Sequence, residues 1–241
     1  MAMKIQDPNR VWFTSDLHFG HRMAVAERGF ASVNFEQYTN IRDEAGLTAR
    51  EIVSDEEVEA MNDGIINVIN AHVPIEDTLF VLGDFSMHAK QPAITAWLDR
   101  IACDEIHLIQ GNHDDWKSIK DAGFASISTR KEISHKINGK RDRLIVDHFP
   151  IVSWVDCHKG TVHAHGHCHG SGDNGDLKRF DLGIDSFEVQ DILGFDRPTA
   201  VPFTFTANGK LASPVTFAEI IQAGEMRTGF PDFDHHKPGS N

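Results

Sequence analysis

The chain has 241 residues, 40% of them hydrophobic and 24% charged, a balance typical of folded globular proteins. Its 36 acidic against 23 basic residues give a net charge of −13, which disfavours stable binding of long nucleic acids or of an anionic membrane surface. The 15 histidines are unusually many. A net-acidic chain rich in histidine favours divalent metals, because imidazole and carboxylate are both good ligands.

No apolar run at the start has the length of a signal peptide, and no stretch reaches the roughly 18 apolar residues of a membrane span. The three cysteines, Cys103, Cys157 and Cys168, are odd in number and widely spaced. Such spacing is typical of reduced thiols rather than of a disulfide framework. We therefore predict a cytoplasmic protein.

Five short apolar runs end abruptly in polar residues and predict strands buried on both faces. In chain order they are 11–15, 79–82, 106–109, 144–146 and 161–165. Helical patterns lie between them. A capping box of Ser54 and Glu57 opens one apolar stripe, a second stripe spans 94–101, and a third helix is expected to start at Pro214. Strands alternating with helices indicate an α/β fold with parallel pairing.

Two Asn-Gly pairs, at 138–139 and 208–209, predict two-residue hairpins, so antiparallel strands should join the sheets and make them mixed. A third pair, at 174–175, lies in a glycine-rich loop. The polar segment 31–50 is interpreted as loop or short helix.

No internal repeat or linker divides the chain. We therefore predict a single domain over 1–241, with its core at about 10–225. The proline- and glycine-containing segment 228–241 is expected to be a loosely ordered tail.

Polar residues follow the predicted strands at their carboxyl ends, the edge where open α/β sheets bind ligands. The candidates are Asp16, His18, Asp84, Asn112, His113, His148, His167 and His169. Residues two apart in an extended chain point the same way, so Asp16 should reach one side together with His18, and His167 with His169. One metal takes three or four protein ligands, and so many convergent groups suit two metals bridged by a carboxylate.

The ordered motifs D-x-H, G-D, G-N-H-D, H and G-H-x-H, which run from Asp16 to His169, resemble those of the calcineurin-like metallophosphoesterase superfamily. The opening segment 15–21 resembles that of small bacterial and phage-encoded members. The resemblance implies an α/β fold built as an α/β/β/α sandwich, with two mixed sheets flanked by helices. It also implies a dinuclear metal centre at the strand ends.

The resemblance further implies how the motif residues share two divalent ions. One ion would be held by Asp16, His18, Asp84 and His169, and the other by Asp84, Asn112, His148 and His167. Asp84 would bridge the two ions. The mixed nitrogen and oxygen donors favour Mn as the native metal, with Fe, Zn, Ni and Co as alternatives.

By the same resemblance, a hydroxide bridging the two ions would attack phosphorus in line. His113 would protonate the leaving oxygen or stabilise the developing charge, and Asp114 would orient His113. Asn112 and His21 are the candidates for substrate contacts. The substrate would be a small phosphate ester.

The motifs of this chain differ from those of several other branches of the superfamily, and the differences narrow the choice of activity. Asp84 is followed by Phe85-Ser86-Met87 and the only tyrosine is Tyr38, which argues against the iron-tyrosinate site of purple acid phosphatases. The Asp-Arg-Gly extension of protein Ser/Thr phosphatases is missing, while His113 is shared with cyclic-nucleotide phosphodiesterases. We predict a phosphodiesterase acting on nucleotides or small phosphodiesters. The alternatives are a phosphomonoesterase and a non-catalytic binding scaffold, and the latter usually loses ligands that this chain keeps.

Other polar residues near the motifs have a simpler interpretation. Cys168 lies between two candidate ligands, and strand parity predicts a small buried thiol that points away from them. Asp181 and Asp185 are interpreted as structural residues at a strand end. His163 and His165 share the parity of the histidine ligands, so either one supports the metal centre or both are structural.

Overall fold

The computed structural model describes residues 2–195, Arg197, residues 211–229 and Pro231. The strands are β1 (Met3–Lys4), β2 (Val11–Thr14), β3 (Thr78–Val81), β4 (Glu105–Ile109), β5 (Ser126–Ser128), β6 (Arg130–Ile137), β7 (Lys140–Asp147), β8 (Val162–His165), β9 (Arg179–Asp181) and β10 (Val215–Thr216). The helices are α1 (Arg22–Glu27), α2 (Phe35–Ala45), α3 (Ala49–Ile52), α4 (Asp55–His72), α5 (Gln91–Leu98), α6 (Trp116–Ile119), α7 (Glu188–Leu193) and α8 (Phe217–Glu225). A 3₁₀ turn spans Cys157–Lys159.

Over the described ranges, the strands form two mixed five-stranded sheets. The first sheet has the order β10-β2-β3-β4-β5, and only β10 runs antiparallel to its neighbour. The second sheet has the order β1-β6-β7-β8-β9, in which β6 and β7 form an antiparallel hairpin. The predicted α/β fold with two mixed sheets flanked by helices is confirmed.

Most of the core of the described residues lies in two layers, one between the sheets and one between the first sheet and its helices, and a smaller cluster joins Ile145 of the second sheet to Trp154 and Cys157. In β3, Phe80 packs into the inter-sheet cluster, whereas Leu79 and Val81 pack into the cluster that contains α1, α4 and α5. Neighbouring residues of a strand point to opposite faces, so β3 is buried on both sides, as predicted. Burial of each such side chain stabilises the fold by about 1.5–3 kcal/mol.

Both sheets present the carboxyl ends of parallel strands at one edge. The first sheet contributes β2, β3 and β4, and the second contributes β7, β8 and β9. The two sheets meet there through backbone pairing of Ser15, just after β2, with Gly183, just after β9. The Ile184 amide donates to the Ser15 carbonyl at 2.9 Å. This contact brings candidate ligands from both sheets to one place.

Two helix boundaries differ from the sequence prediction. Helix α8 begins at Phe217, not at Pro214, because Thr216 caps it and shares a capping box with Glu219. The intervening residues Val215–Thr216 pair with β2 as the edge strand β10 instead. Helix α5 ends at Leu98, so the apolar stripe that predicted it continues beyond the helix.

The segment 31–50 is more regular than a loop, because two further capping boxes start helices in it. Asn34 caps α2 and Thr48 caps α3. The 138–139 hairpin is confirmed, with φ of 49° at Asn138 and 84° at Gly139, as a tight hairpin turn requires.

The hairpin predicted at 208–209 and most of the tail 228–241 lie outside the described residues. The single-domain organisation stays a prediction. None of the helices in the described part of the chain combines the length and the hydropathy that crossing a bilayer requires.

Candidate metal centre

The candidate ligands lie on sharply turned backbone at the strand ends. Asp16, His18, Asp84, His167 and His169 all have positive φ, between 50° and 71°. Left-handed backbone costs a non-glycine residue about 1–2 kcal/mol, and such strain concentrates at functional sites. The side chains do converge, but the expectation of an extended chain between each pair was wrong.

Two glycines allow this convergence. Gly83 has φ of 98°, and a Cβ there would collide with the ring of His148. A Cβ at Gly111 would collide with the carboxylate of Asp84. Only glycine lets the two strand ends approach so closely.

The converging side chains form two groups of possible metal ligands. The first group is Asp16, His18 and His169, and the second group is Asp84, His148 and His167; within each, the ligand atoms lie within 4.8 Å of one another. Asp84 Oδ2 lies 3.6 Å from His18 Nε2 and 3.4 Å from His148 Nε2. This carboxylate therefore lies between the two groups, where a bridging ligand belongs.

Asn112 lies against the second group. Its Oδ1 is 2.9 Å from His148 Nε2 and 3.0 Å from His167 Nδ1. Two imidazole nitrogens and an amide oxygen thus point toward one volume. The arrangement matches the ligand set implied by the family resemblance, and the roles of the individual residues stay predictions.

The donor atoms fit divalent cations. His18 Nε2 and His169 Nε2 face each other at 3.2 Å, and His18 Nδ1 is buried without a hydrogen-bond partner. Burial lowers the pKa of His18 to about 2, so its imidazole is neutral and keeps a lone pair for a metal. Imidazole nitrogens that converge beside two buried carboxylates form a donor set that a pair of cations would satisfy.

The two groups carry protons that metals would have to displace. Burial raises the pKa of Asp16 to about 7 against the opposing effect of His169 and His148. For His148, burial lowers the pKa, but hydrogen bonding to Asp84 and the charge of Asp84 outweigh it and raise the value to about 9. The same contact outweighs the burial of Asp84 and lowers its pKa to about 2.

Hydrogen bonds to the far ring nitrogens fix how the histidines point. His148 Nδ1 donates to the Leu82 carbonyl at 2.8 Å, which directs its Nε2 to the centre. His169 Nδ1 donates to Asp185 Oδ2 at 2.8 Å, and Arg28 Nη2 holds the same oxygen at 3.0 Å. Carboxylate–histidine pairs of this kind orient metal ligands. Asp185, interpreted from the sequence as a structural residue, therefore holds a candidate ligand in place.

His113 lies beside the centre, and Asp114 does not orient its ring. The His113 amide donates to Asp84 Oδ1 at 2.9 Å, and its ring centroid is 5.3 Å from that of His18. Asp114 instead accepts the amides of Asp84 and Gly111, both at 2.9 Å, and that of Phe85 at 3.0 Å. The expected role of Asp114 is corrected: it holds the turn that carries Asp84.

The side chain that contacts the His113 ring is His88, whose Nε2 lies 3.4 Å from His113 Nδ1. The sequence motifs do not single out His88. Its position four residues after Asp84, in the segment that leaves the metal-binding turn, was the available signal. Its φ of 51° places it in the same left-handed region as the candidate ligands.

A cavity of about 740 Å³ opens onto the two groups. It is lined by His18, His21, Met23, Glu27, Arg28, Gly29, His113, His167, Cys168, His169, Ser171 and Asp185. His21 precedes α1, and its Nδ1 is buried without a partner. Burial lowers the pKa of His21 to about 4, so the ring is a neutral wall of the cavity. His21 therefore lines the cavity, and its contact with substrate stays a prediction.

The sequence left the roles of His163 and His165 undecided, and the structure places the two side chains in different surroundings. His163 is fully buried, and its ring donates to the Ile145 carbonyl at 3.0 Å, so it is structural. Burial lowers its pKa to about 3. His165 is also fully buried, and it lies beside Cys168 and Asp181 rather than in either group. Cys168 itself is half-buried and lines the cavity, contrary to the expectation of a buried thiol.

Comparison with known proteins agrees with this geometry. The calcineurin-like phosphoesterase family model matches residues 9–209. No curated protein gives a significant match to the chain. A solved structure, that of the protein of unknown function AQ665 from Aquifex aeolicus, is similar over 73% of this chain and 90% of its own, with 21% identity and a TM-score of 0.44. Since the family model spans most of the chain and its motif residues converge at one sheet edge, the chain belongs to the calcineurin-like phosphoesterase family.

Proposed function

We propose that this metal-dependent phosphoesterase is a phosphodiesterase that acts on nucleotides or small phosphodiesters. The observation that carries the proposal is the cavity beside the two groups of ligands. Its volume of about 740 Å³ leaves room for a substituent on each side of the phosphate. Protein phosphatases and phosphomonoesterases need to hold only one substituent.

The charges of the cavity support a diester. Arg28 is the one Lys or Arg side chain in the lining given by the described residues. Its guanidinium is engaged by Asp185 and by the carbonyls of Asp16 and Leu17. A phosphate monoester carries about −1.5 to −2 at neutral pH, more than a diester, and would favour a free basic side chain in the site. No such group stands in this lining.

The roles of the residues follow from their positions. Asp16, His18 and His169 would hold one divalent ion, Asn112, His148 and His167 the other, and Asp84 would contact both. Bound cations supply Lewis acidity, neutralise phosphoryl charge and lower the pKa of water. We propose Mn²⁺ as the activating ion because the donors are mixed nitrogen and oxygen.

His113 is proposed to donate a proton to the leaving oxygen. Its ring stands at the cavity wall beside His18, and its backbone amide is held by Asp84. His88 borders the other side of the ring and would keep its Nδ1 from turning toward the cavity. The net charge of −13 and the small cavity together favour a small substrate over a long polyanion.

The test compares the hydrolysis of bis(p-nitrophenyl) phosphate and p-nitrophenyl phosphate by metal-depleted protein to which Mn²⁺ is returned. We expect a higher kcat/KM for the diester. On a dinucleotide, whose leaving alkoxide needs a proton, His113→Ala should lower kcat about 10²- to 10⁴-fold, the usual contribution of a general acid, whereas p-nitrophenolate leaves without that help. His72→Ala is the matched control, since His72 ends α4 ahead of the amino end of β3, whereas the candidate ligands follow the carboxyl ends of the strands.

A higher kcat/KM for the monoester would make the chain a phosphomonoesterase. Full activity after exhaustive chelation, or of His113→Ala on a dinucleotide, would overturn the proposed roles. A panel of cyclic nucleotides and dinucleotides with Mn²⁺ then identifies the natural class of diester.

A further inference from the structure

A third group of ligand-type side chains lies next to the candidate metal centre. It consists of His165, Cys168 and Asp181, whose ligand atoms lie within 4.8 Å of one another, as in the first and second groups. His165 ends β8, Asp181 ends β9, and the two are paired directly across the parallel strands. The chain then turns through Gly166, and Cys168 comes back over them.

The ring of His165 has a lone pair that no donor satisfies. Its Nδ1 lies 2.7 Å from the Gly166 carbonyl, which can only accept, so this nitrogen carries the proton. Its Nε2 faces Asn174 Oδ1 at 3.4 Å. Arg179 donates to that oxygen at 2.7 Å and the Asn174 amide donates to Glu188 at 2.8 Å, which fixes the orientation of Asn174. A fully buried nitrogen therefore faces an acceptor, where a cation would fit.

Asp181 is a buried carboxylate without a cationic partner. It is 1% exposed, and its two oxygens accept backbone amides, from Gly170 at 2.8 Å and from Gly183 at 2.9 Å. Among the described residues it forms no ion pair. Burying an unpaired carboxylate is costly, and a bound cation offsets that cost.

The thiol of Cys168 completes the group. Within the described ranges, its Sγ has no hydrogen-bond partner, and it packs against Gly172, where an added Cβ would stand 3.3 Å from the sulfur. Cys168 also lines the main cavity, which gives a cation a path to the group. A cation can therefore reach the sulfur from the cavity, and among the described residues no hydrogen bond to the sulfur would compete with it.

We propose that His165, Cys168 and Asp181 bind a third divalent cation of the zinc type. A sulfur, an imidazole nitrogen and a carboxylate oxygen form a ligand set typical of Zn²⁺, softer than the nitrogen and oxygen donors of the dinuclear centre. Asn174 Oδ1 or water would fill the fourth position of a tetrahedral site. On binding, the thiol releases its proton to solvent and ligates as thiolate.

The position of this site gives the cation a structural task. Cys168 lies between His167 of the second group and His169 of the first group, and the Gly170 amide that follows is held by Asp181. A cation on Cys168 and Asp181 would clamp the turn that carries both histidines. The proposal stands on these contacts and does not depend on which ester the protein hydrolyses.

Sulfur ligation distinguishes the third site from the dinuclear centre, whose candidate ligands include no thiol. Metal-depleted protein is loaded with Co²⁺, and its near-ultraviolet thiolate-to-cobalt charge-transfer band is recorded. A zinc-loaded sample is examined by X-ray absorption for a Zn–S distance of about 2.3 Å. We expect both signals in the unaltered protein, and the loss of both, with one ion fewer per chain, in Cys168→Ser.

Cys103→Ser is the matched control, because Cys103 donates to the Asp77 carbonyl at 3.0 Å, a contact that serine can keep. It should retain both signals. Asp181→Asn, which keeps the size of the side chain, should weaken zinc binding while the protein stays folded. Absence of a thiolate signal in the unaltered protein, or equal signals and metal content in Cys168→Ser, overturns the proposal. These experiments do not measure hydrolysis, so their outcome is independent of whether the protein proves to be a phosphodiesterase.

Discussion

The two groups of the candidate metal centre are positioned by different means. In the second group, His148 is oriented by the backbone carbonyl of Leu82, which belongs to the end of β3. In the first group, His169 is oriented by the side chain of Asp185, which Arg28 of the segment after α1 holds in turn. The ring of His148 is thus oriented by the sheet backbone, whereas the ring of His169 depends on a side chain that a single substitution can remove.

The largest expected effect comes from the residue that the two groups share. Asp84→Asn keeps the shape of the side chain but removes the charge that faces both His18 and His148. We expect both ions to be lost. The fall in kcat should exceed the factor of about 10 to 100 that the loss of an orienting partner causes. Metal content per chain and diester hydrolysis measure this. Retention of either ion at full occupancy would contradict a shared carboxylate.

Removing the side-chain support of the first group should separate the two groups. Asp185→Asn weakens the hold on His169, and we expect metal affinity to fall about 10- to 100-fold at one site only. Titration with Mn²⁺ should then show one tight and one weakened class of site. Asp191→Asn, an exposed change in α7, is the control. Equal weakening of both classes would show that the groups are not independently positioned.

The pH dependence of metal binding should also differ between the groups. The pKa of Asp16 is raised to about 7 and that of His148 to about 9, and a metal must displace either proton to bind. Affinity therefore rises with pH, about tenfold per unit for each displaced proton, up to the pKa of the group concerned. The first group should level off once Asp16 has lost its proton and so has His169, whose pKa is raised because contact with Asp185 outweighs burial, whereas the second group keeps gaining affinity toward pH 9. Calorimetric titration with metal at several pH values measures both the affinity and the number of protons released. Affinities that do not change with pH would contradict this prediction.

The smallest expected effect concerns His88, which touches His113 and belongs to neither group. Loss of a contact worth about 0.5–1.5 kcal/mol predicts a fall in kcat of about 2- to 10-fold in His88→Ala. The fall should be larger on a dinucleotide than on a p-nitrophenyl ester, because His88 stands against the ring proposed as the acid and only the dinucleotide needs a proton on its leaving oxygen. His88→Gln, which keeps a polar side chain near His113, should recover part of the loss. Equal falls on both substrates in His88→Ala would make the role of His88 structural.

Much of the site could be predicted because its signals are local in the chain. A buried apolar run that ends in Asp16 or Asp84 shows both the strand and the ligand within a few residues. Asp185 and His88 gave no such signal, since their roles come from contacts with His169 and His113 across turns of the chain. Asp114 was wrongly expected to orient its neighbour, because sequence adjacency does not say which way a turn directs a carboxylate.

The sequence by itself determined the buried strands β2, β3, β4, β7 and β8, the mixed character of the sheets and the polar residues at the carboxyl ends of these strands, because burial periodicity and hairpin residues act over short distances. Tertiary structure alone decided the rest. The pairing of Ser15 with Gly183 joined the two sheets, which placed Asp84 between both groups. The register of β8 with β9 put His165 opposite Asp181. Strand register and left-handed turns set these distances, and both depend on packing between segments that are far apart in the chain.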